Sequence, residues 1–235
     1  MRKMLMLVAM ATISSAVSAE QNPGKIAITP SSPKAAIIFR APDVPKPMGS
    51  YISAYKLGLK VYDPANQAIR GGPFGGNVII SARPSLSAQG YLVSDLKPGT
   101  YVITDFSRQD SWALCFNEGS LQFTVKPGEV LYLGAFDPIF HVRELEMMAI
   151  ASGRLSLRQG SIAHFFDKVT PPRLTPGSAA DLPQVLAVMR ATMPKTTAMP
   201  TLATFEPARF GTGRDLFGTQ RICGGYYTGK AKPKA

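Results

Sequence analysis

The sequence predicts a mainly β protein, an antiparallel two-sheet sandwich followed by a C-terminal amphipathic helix and an irregular strap. The triplet Lys-Pro-Gly occurs twice, at residues 97–99 and 126–128, and each copy precedes an apolar run. Pro presets φ at the second position of a turn, and Gly accepts φ > 0 at the third, as a type II turn requires. Each triplet therefore predicts a corner between strands, and residues 90–136 are predicted to form an antiparallel meander.

Hydrophobic alternation supplies the second observation. In residues 55–62 the side chains Tyr55, Leu57, Leu59 and Val61 alternate with polar or small residues, a pattern typical of a half-buried strand. Short runs rich in Val, Ile, Tyr, Phe and Thr recur along the chain with turn residues between them, which favours a sandwich over a parallel α/β sheet. The other predicted strands cover residues 34–40, 77–83, 90–96, 100–108, 111–116, 120–126 and 129–136, with a last one at 140–147.

The C-terminal third has a different character. Residues 178–181, Ser-Ala-Ala-Asp, resemble a capping signature, and Leu182, Val185, Leu186 and Met189 follow at i, i+3, i+4 and i+7. This spacing predicts a helix over residues 179–193 whose apolar stripe docks on the core. Pro194, Pro200, Pro207 and several glycines then indicate an irregular strap that lies over the sandwich.

The N-terminus has the anatomy of a secretory signal peptide. A basic start, Met1-Arg2-Lys3, precedes an apolar run at 4–13 and the small residues Val-Ser-Ala at 17–19. The apolar run is shorter than the roughly 20 residues that span a bilayer, so we expect cleavage near Ala19 and no transmembrane segment in the mature chain. The predicted organisation is a signal peptide (1–19), an arm (20–33), a β-sandwich domain (34–150) and a helix-and-strap extension (151–235). The predicted location is periplasmic or secreted.

The chain is basic. Its formal net charge is +11, and loss of residues 1–19 would remove Arg2 and Lys3 and no acid, leaving +9. Outside the cytoplasm such a charge favours anionic surfaces as partners. No segment interleaves basic with aromatic residues as nucleic-acid binding requires, so nucleic acid is not a predicted partner. The expected partner is an envelope protein or an anionic envelope surface.

The chain contains two cysteines, Cys115 and Cys223. An even count in an exported protein predicts a disulfide, and the alternative is two separately buried thiols. A bridge would close a loop of about 107 residues, which the chain-entropy model values at roughly 4 to 5 kcal/mol. It would fasten the strap to a strand of the sandwich.

The sequence contains few candidates for catalytic residues. The histidines are His141 and His164, both with apolar neighbours and without the spacing of a metal site. No catalytic residue, metal or cofactor is therefore predicted, although a hydrolase that uses either histidine remains an alternative. A glycosidase would need two converging carboxylates, and the acids on the predicted meander are Asp105, Asp110, Glu118 and Glu129.

Residues 34–136 resemble exported bacterial β-sandwich domains of unknown function. The resemblance rests on the strand Ala-Ala-Ile-Ile-Phe-Arg at 35–40, the strand Lys-Leu-Gly-Leu-Lys-Val-Tyr-Asp at 56–63, and the two corners at 96–101 and 125–134. It implies a sandwich of the immunoglobulin-like or transthyretin-like type, similar also to carboxypeptidase-regulatory-like domains. It implies no catalytic residues.

These observations predict an exported, non-enzymatic protein with a structural or interaction role in the cell envelope. The alternative is a binding module for an anionic glycan or lipid. Five aromatic side chains are candidates for contacting such a ligand: Tyr51, Tyr55, Trp112, Tyr226 and Tyr227.

Overall fold

The computed structural model describes residues 22–41, 55–70, 77–82, 90–108, 112–151, 164–166, 170–211, 213–214 and 220–221. The helices are α1 (Pro138–Ala151) and α2 (Leu182–Thr192), with 3-10 turns at Pro23–Lys25 and Ala179–Asp181. The strands are β1 (Ala35–Arg40), β2 (Tyr55–Asp63), β3 (Ala68–Ile69), β4 (Asn77–Ala82), β5 (Tyr91–Leu96), β6 (Gly99–Arg108), β7 (Trp112–Cys115), β8 (Ser120–Val125), β9 (Val130–Phe136), β10 (His164–Phe166), β11 (Leu174–Thr175), β12 (Pro200–Leu202), β13 (Glu206–Ala208), β14 (Gly213–Arg214) and β15 (Gln220–Arg221).

Two sheets form the body of the fold, which confirms the predicted mainly β class. In the first sheet β5 pairs with β1, β1 pairs in parallel with β9, and the far edge of β9 pairs with β12 and then β11. In the second sheet β2 and β6 pair at the centre, with β3 and β4 beside β2 and with β7 and β8 beside β6. There β10 pairs with β7 and β13 with β8, so strands from residues 164–208 complete both sheets.

The two Lys-Pro-Gly corners connect strands of different sheets. Gly128 has φ of 72°, and the amide of Glu129 donates to the carbonyl of Lys126 at 3.3 Å, as in the predicted type II turn. Gly99 has φ of 152°, far from the roughly +80° of that turn, and already begins β6. The predicted meander over 90–136 is wrong, because turn chemistry specifies a local bend and not the strand with which the next segment pairs.

Hydrophobic side chains fill the space between the sheets and cover both outer faces. The central core includes Leu57, Leu59, Ile103 and Phe106. On the outside of the first sheet, α2 and Ile28 of the N-terminal arm pack against strands β1, β5 and β9. The outer face of the second sheet carries another cluster: Tyr62, Val102, Cys115, Ala208 and Phe210. Strand β2 is therefore buried on both faces, not on one as its alternation predicts.

Residues 140–147 form part of helix α1, so the predicted last strand is wrong. The carboxylate of Asp137 accepts the backbone N–H of Phe140 at 3.1 Å, and Pro138 opens the helix. Both features are helix-start signals. The buried residues recur at helical spacing and pack into the central core: Pro138, His141, Val142, Leu145 and Ala149.

The predicted C-terminal helix is present as a 3-10 turn followed by α2. The amide of Ser178 donates to the carboxylate of Asp181 at 2.8 Å, which supports the predicted capping interaction. Val185, Val188 and Met189 are buried against the first sheet, so the apolar stripe docks on the fold as expected. In the described part of the chain no helix is both long and apolar enough to span a membrane.

Candidate functional site

A surface cleft lies where the chain passes from β12 of the first sheet to β13 of the second. Its volume is about 420 Å³. Strand β8 and the start of β9 supply one wall, and residues 202–206 supply the other. The polar side chains that line it are Thr100, Gln122, Thr124, Lys126, Glu129, Thr204 and Glu206.

Gln122 and Glu206 occupy paired positions on β8 and β13. Nε2 of Gln122 donates to Oε2 of Glu206 at 3.2 Å, which fixes the orientation of the amide. Gln122 is 8% exposed, and within the described residues its Oε1 has no hydrogen-bond partner. A buried acceptor without a donor is unusual in a folded protein and calls for an explanation.

The type II turn places Glu129 in the same cleft. Its carboxylate accepts the backbone N–H of Lys126 at 2.9 Å and the hydroxyl of Thr201 at 3.2 Å. The hydroxyls of Thr100 and Thr124 lie 2.9 Å apart on neighbouring strands. The cleft therefore combines two carboxylates, an ammonium group, an amide and hydroxyls beside apolar side chains.

Of the carboxylates that the sequence singles out, Glu129 is the one that lies in this cleft. Its companion there is Glu206, which sequence analysis missed because no local pattern relates two residues 77 positions apart. Glu118 is exposed in the turn before β8, and Asp110 lies outside the described residues.

Asp105 belongs to a polar pair on the outer face of the second sheet. A bulge in β6 leaves Thr104 without a partner residue on β2, and its hydroxyl donates to Oδ1 of Asp105 at 2.7 Å. Burial raises the pKa of Asp105 and lowers the pKa of Lys60, and the attraction between the two charges opposes both shifts. A Cβ on Gly58 would collide with the Asp105 carboxylate, so this glycine makes the room for the pair.

Both ring nitrogens of His141 are engaged. The backbone N–H of Arg173 donates to Nε2 at 2.8 Å, so Nδ1 carries the proton that it shares with Glu144 at 3.2 Å. Aromatic rings surround the imidazole, and burial lowers the pKa of His141. Such a histidine has no free nitrogen with which to accept a proton from a nucleophile. His164 lies on β10, paired with Trp112.

The predicted ligand-contacting aromatics divide into buried residues and residues outside the described ranges. Tyr55 and Trp112 are 2% and 1% exposed, and Trp112 stacks on Phe166. Neither ring is presented at the surface. Tyr51, Tyr226 and Tyr227 lie outside the described residues.

Cys115 is fully buried on β7. Its predicted partner, Cys223, lies outside the described residues, as does the predicted signal peptide at 1–19. The disulfide and the leader sequence therefore stay predictions.

Arg108 is a feature that the sequence did not single out. It ends β6, is 1% exposed, and within the described part of the chain none of its three guanidinium nitrogens has a hydrogen-bond partner. The carboxylate of Glu146 on α1 lies 4.0 Å from Nη1. Burial lowers the pKa of Arg108, and Glu146 partly opposes that shift.

Among the described side chains no group of three or more His, Cys, Asp or Glu is placed to hold a metal ion.

Comparison of the chain with protein-family models, curated proteins and solved structures finds no match. The fold therefore defines the class of protein here, a two-sheet β-sandwich whose outer faces are covered by a helix and a strap.

Proposed function

We propose that the protein is an exported, non-enzymatic β-sandwich of the transthyretin-like type, with a structural or interaction role in the cell envelope. The observation that carries the proposal is the separation of its polar groups. His141 is packed inside the fold and the Asp105–Lys60 pair lies on the outer face of the second sheet, whereas the cleft between β12 and β13 opens to solvent and has no histidine among the described residues that line it. Both carboxylates of the cleft, Glu129 and Glu206, are hydrogen-bonded to other groups of the protein, which supports binding rather than turnover.

Export is supported by the anatomy of residues 1–19, and cleavage near Ala19 is compatible with the described part of the arm. Ile26 and Ile28, a few residues after the expected cleavage site, are buried, and the amide of Ile28 bonds to the hydroxyl of Thr196 at 3.2 Å. A mature chain that begins at Glu20 would keep this arm.

The alternative of an anionic glycan or lipid as ligand finds less support in the cleft. Among the described residues that line it, Glu129 and Glu206 outnumber the one ammonium group, that of Lys126. The cleft therefore does not share the positive charge of the whole chain, which is +9 after loss of residues 1–19. If that overall charge recruits anionic vesicles, binding should weaken as salt rises, since exposed charges are screened beyond about 8 Å at physiological ionic strength.

The experiment is expression of the full chain in a bacterial host, followed by intact-mass analysis of the periplasmic fraction. We expect the mass of residues 20–235. An uncut chain in the cytoplasm or the membrane fraction would contradict export.

Purified mature protein is then incubated with chromogenic ester, peptide and glycoside substrates beside the variant His141→Gln. We expect equal, background rates. Turnover by the wild type that the variant loses would establish a histidine-dependent hydrolase and overturn the non-enzymatic role.

A further inference from the structure

We propose that the cleft between β12 and β13 binds a hydroxyl-rich ligand, a neutral or amino sugar unit of a glycan. The inference rests on the proposed non-catalytic binding role and names the chemistry of the ligand. Nothing in the sequence predicted the site, because its two walls come from residues 100–131 and 202–206.

Size and lining fit a sugar. The volume of about 420 Å³ falls within the range of roughly 300–1,000 Å³ typical of small-molecule sites. Leu202, which is 37% exposed, supplies apolar surface, and three threonines supply hydroxyls that can both donate and accept: Thr100, Thr124 and Thr204. A sugar ring has the matching combination of C–H faces and hydroxyl edges.

The side-chain oxygen of Gln122, an acceptor without a donor in the described part of the chain, favours a ligand that carries a hydrogen-bond donor. Nε2 of Gln122 is already engaged by Glu206, so the amide cannot rotate to bury its oxygen elsewhere without breaking that bond. Oε1 is left without a donor among the described residues, on a side chain that lines the cleft. A ligand hydroxyl or ammonium group is the kind of donor that satisfies it.

Charge distinguishes neutral and amino sugars from acidic ones. The lining carries the carboxylates of Glu129 and Glu206 and the ammonium of Lys126, a balance of one negative charge. Both Glu129 oxygens already accept hydrogen bonds, whereas Glu206 shares one oxygen with Gln122. Glu206 is therefore the group placed to pair with an amino sugar, and a uronic acid would meet repulsion.

The test is an NMR titration of ¹⁵N-labelled mature protein with glucosamine, N,N′-diacetylchitobiose and galacturonic acid, each to about 20 mM, well above a millimolar Kd. We expect the first two to shift amide signals of β8, β13 and the turn at 126–129. Galacturonic acid should leave them unchanged.

Two variants separate the contributions. Glu206→Gln keeps the shape of the side chain, and we expect it to weaken glucosamine about fivefold or more while the neutral disaccharide changes less than twofold. Gln122→Leu removes the acceptor and should weaken both about tenfold. Glu118→Gln is the matched control, an exposed acid outside the cleft that should change neither.

A folded wild type with no shifts, tighter binding of galacturonic acid, or unchanged binding in both cleft variants would each overturn the inference. If Gln122→Leu fails to fold, the Glu206→Gln comparison decides alone. Loss of sugar binding would leave the export and turnover results standing. Conversely, an uncut or catalytic protein would overturn the proposed function even if purified material bound sugar.

Discussion

Replacement of Glu146 by Gln should destabilise the protein because it removes the carboxylate that faces a buried guanidinium. Arg108 is 1% exposed, and its Nη1 lies 4.0 Å from Oε1 of Glu146. At an effective dielectric constant of about 20, two unit charges at that distance attract by about 4 kcal/mol. The Glu146 side chain is 42% exposed, so solvent screening reduces this, and we expect Glu146→Gln to lower the free energy of unfolding by about 2 kcal/mol.

The assay is urea denaturation followed by the fluorescence of Trp112, the single tryptophan of the chain. Glu118→Gln, which removes an exposed acid elsewhere, should change stability by less than about 0.5 kcal/mol. Arg108→Met replaces the buried cation with an apolar chain and should be close to neutral, because the desolvation cost of a buried ion pair offsets most of its attraction and a well-packed hydrophobic side chain stabilises about as much.

The double variant Arg108→Met with Glu146→Gln should be about as stable as Arg108→Met alone, since the carboxylate then has no charge to compensate. The reasoning is refuted if Glu146→Gln matches the wild type within about 0.5 kcal/mol, or if its cost is the same in the Arg108→Met background.

Three further predictions concern acid stability, a turn and the disulfide. Burial holds the pKa of His141 below its ordinary value of 6.5, so as pH falls the imidazole of the unfolded chain is protonated before that of the folded chain. The free energy of unfolding should therefore drop between pH 7 and 5, by at most about 2 kcal/mol from this group. Chemical denaturation of His141→Gln should show a shallower pH dependence, and equal slopes would contradict a lowered pKa of His141. Gly128 and Gly90 have φ of 72° and 79°, but only at Gly128 does an added Cβ meet a backbone carbonyl of the N-terminal arm. Gly90→Ala should therefore cost about 1–2 kcal/mol of strain and Gly128→Ala at least about 1 kcal/mol more in thermal denaturation, and equal losses would remove the steric argument. Thiol titration of denatured, non-reduced periplasmic protein should find no free thiol if Cys115 and Cys223 pair, with reduction costing up to a few kcal/mol, and two free thiols would exclude the bridge.

The positions of most strands were predictable because local hydrophobic alternation and turn residues indicate where each strand begins and ends. The strands predicted at 120–126 and 77–83 are observed as β8 (Ser120–Val125) and β4 (Asn77–Ala82). Helix α1 was missed although Asp137 and Pro138 are start signals in the sequence, because its residues are apolar on several sides and give no clean helical stripe.

Pairing and the site depend on contacts distant in sequence. The parallel pairing of β1 with β9 joins residues more than 90 positions apart, and turn chemistry carries no information about it. The hydrogen bond between Gln122 and Glu206 spans 84 positions. The tautomer of His141 is set by the backbone N–H of Arg173, 32 residues later, which donates to Nε2. None of these is visible as a motif.

The segment from β12 to β13 also bears on solubility. Strand β12 pairs with the edge of β9 and strand β13 with the edge of β8, so one short stretch of chain occupies an open edge of each sheet. Unpaired edge strands are templates for pairing with another molecule. Proteolytic trimming of the C-terminus upstream of Pro200 would expose both edges at once, and such fragments should self-associate more strongly than the full chain.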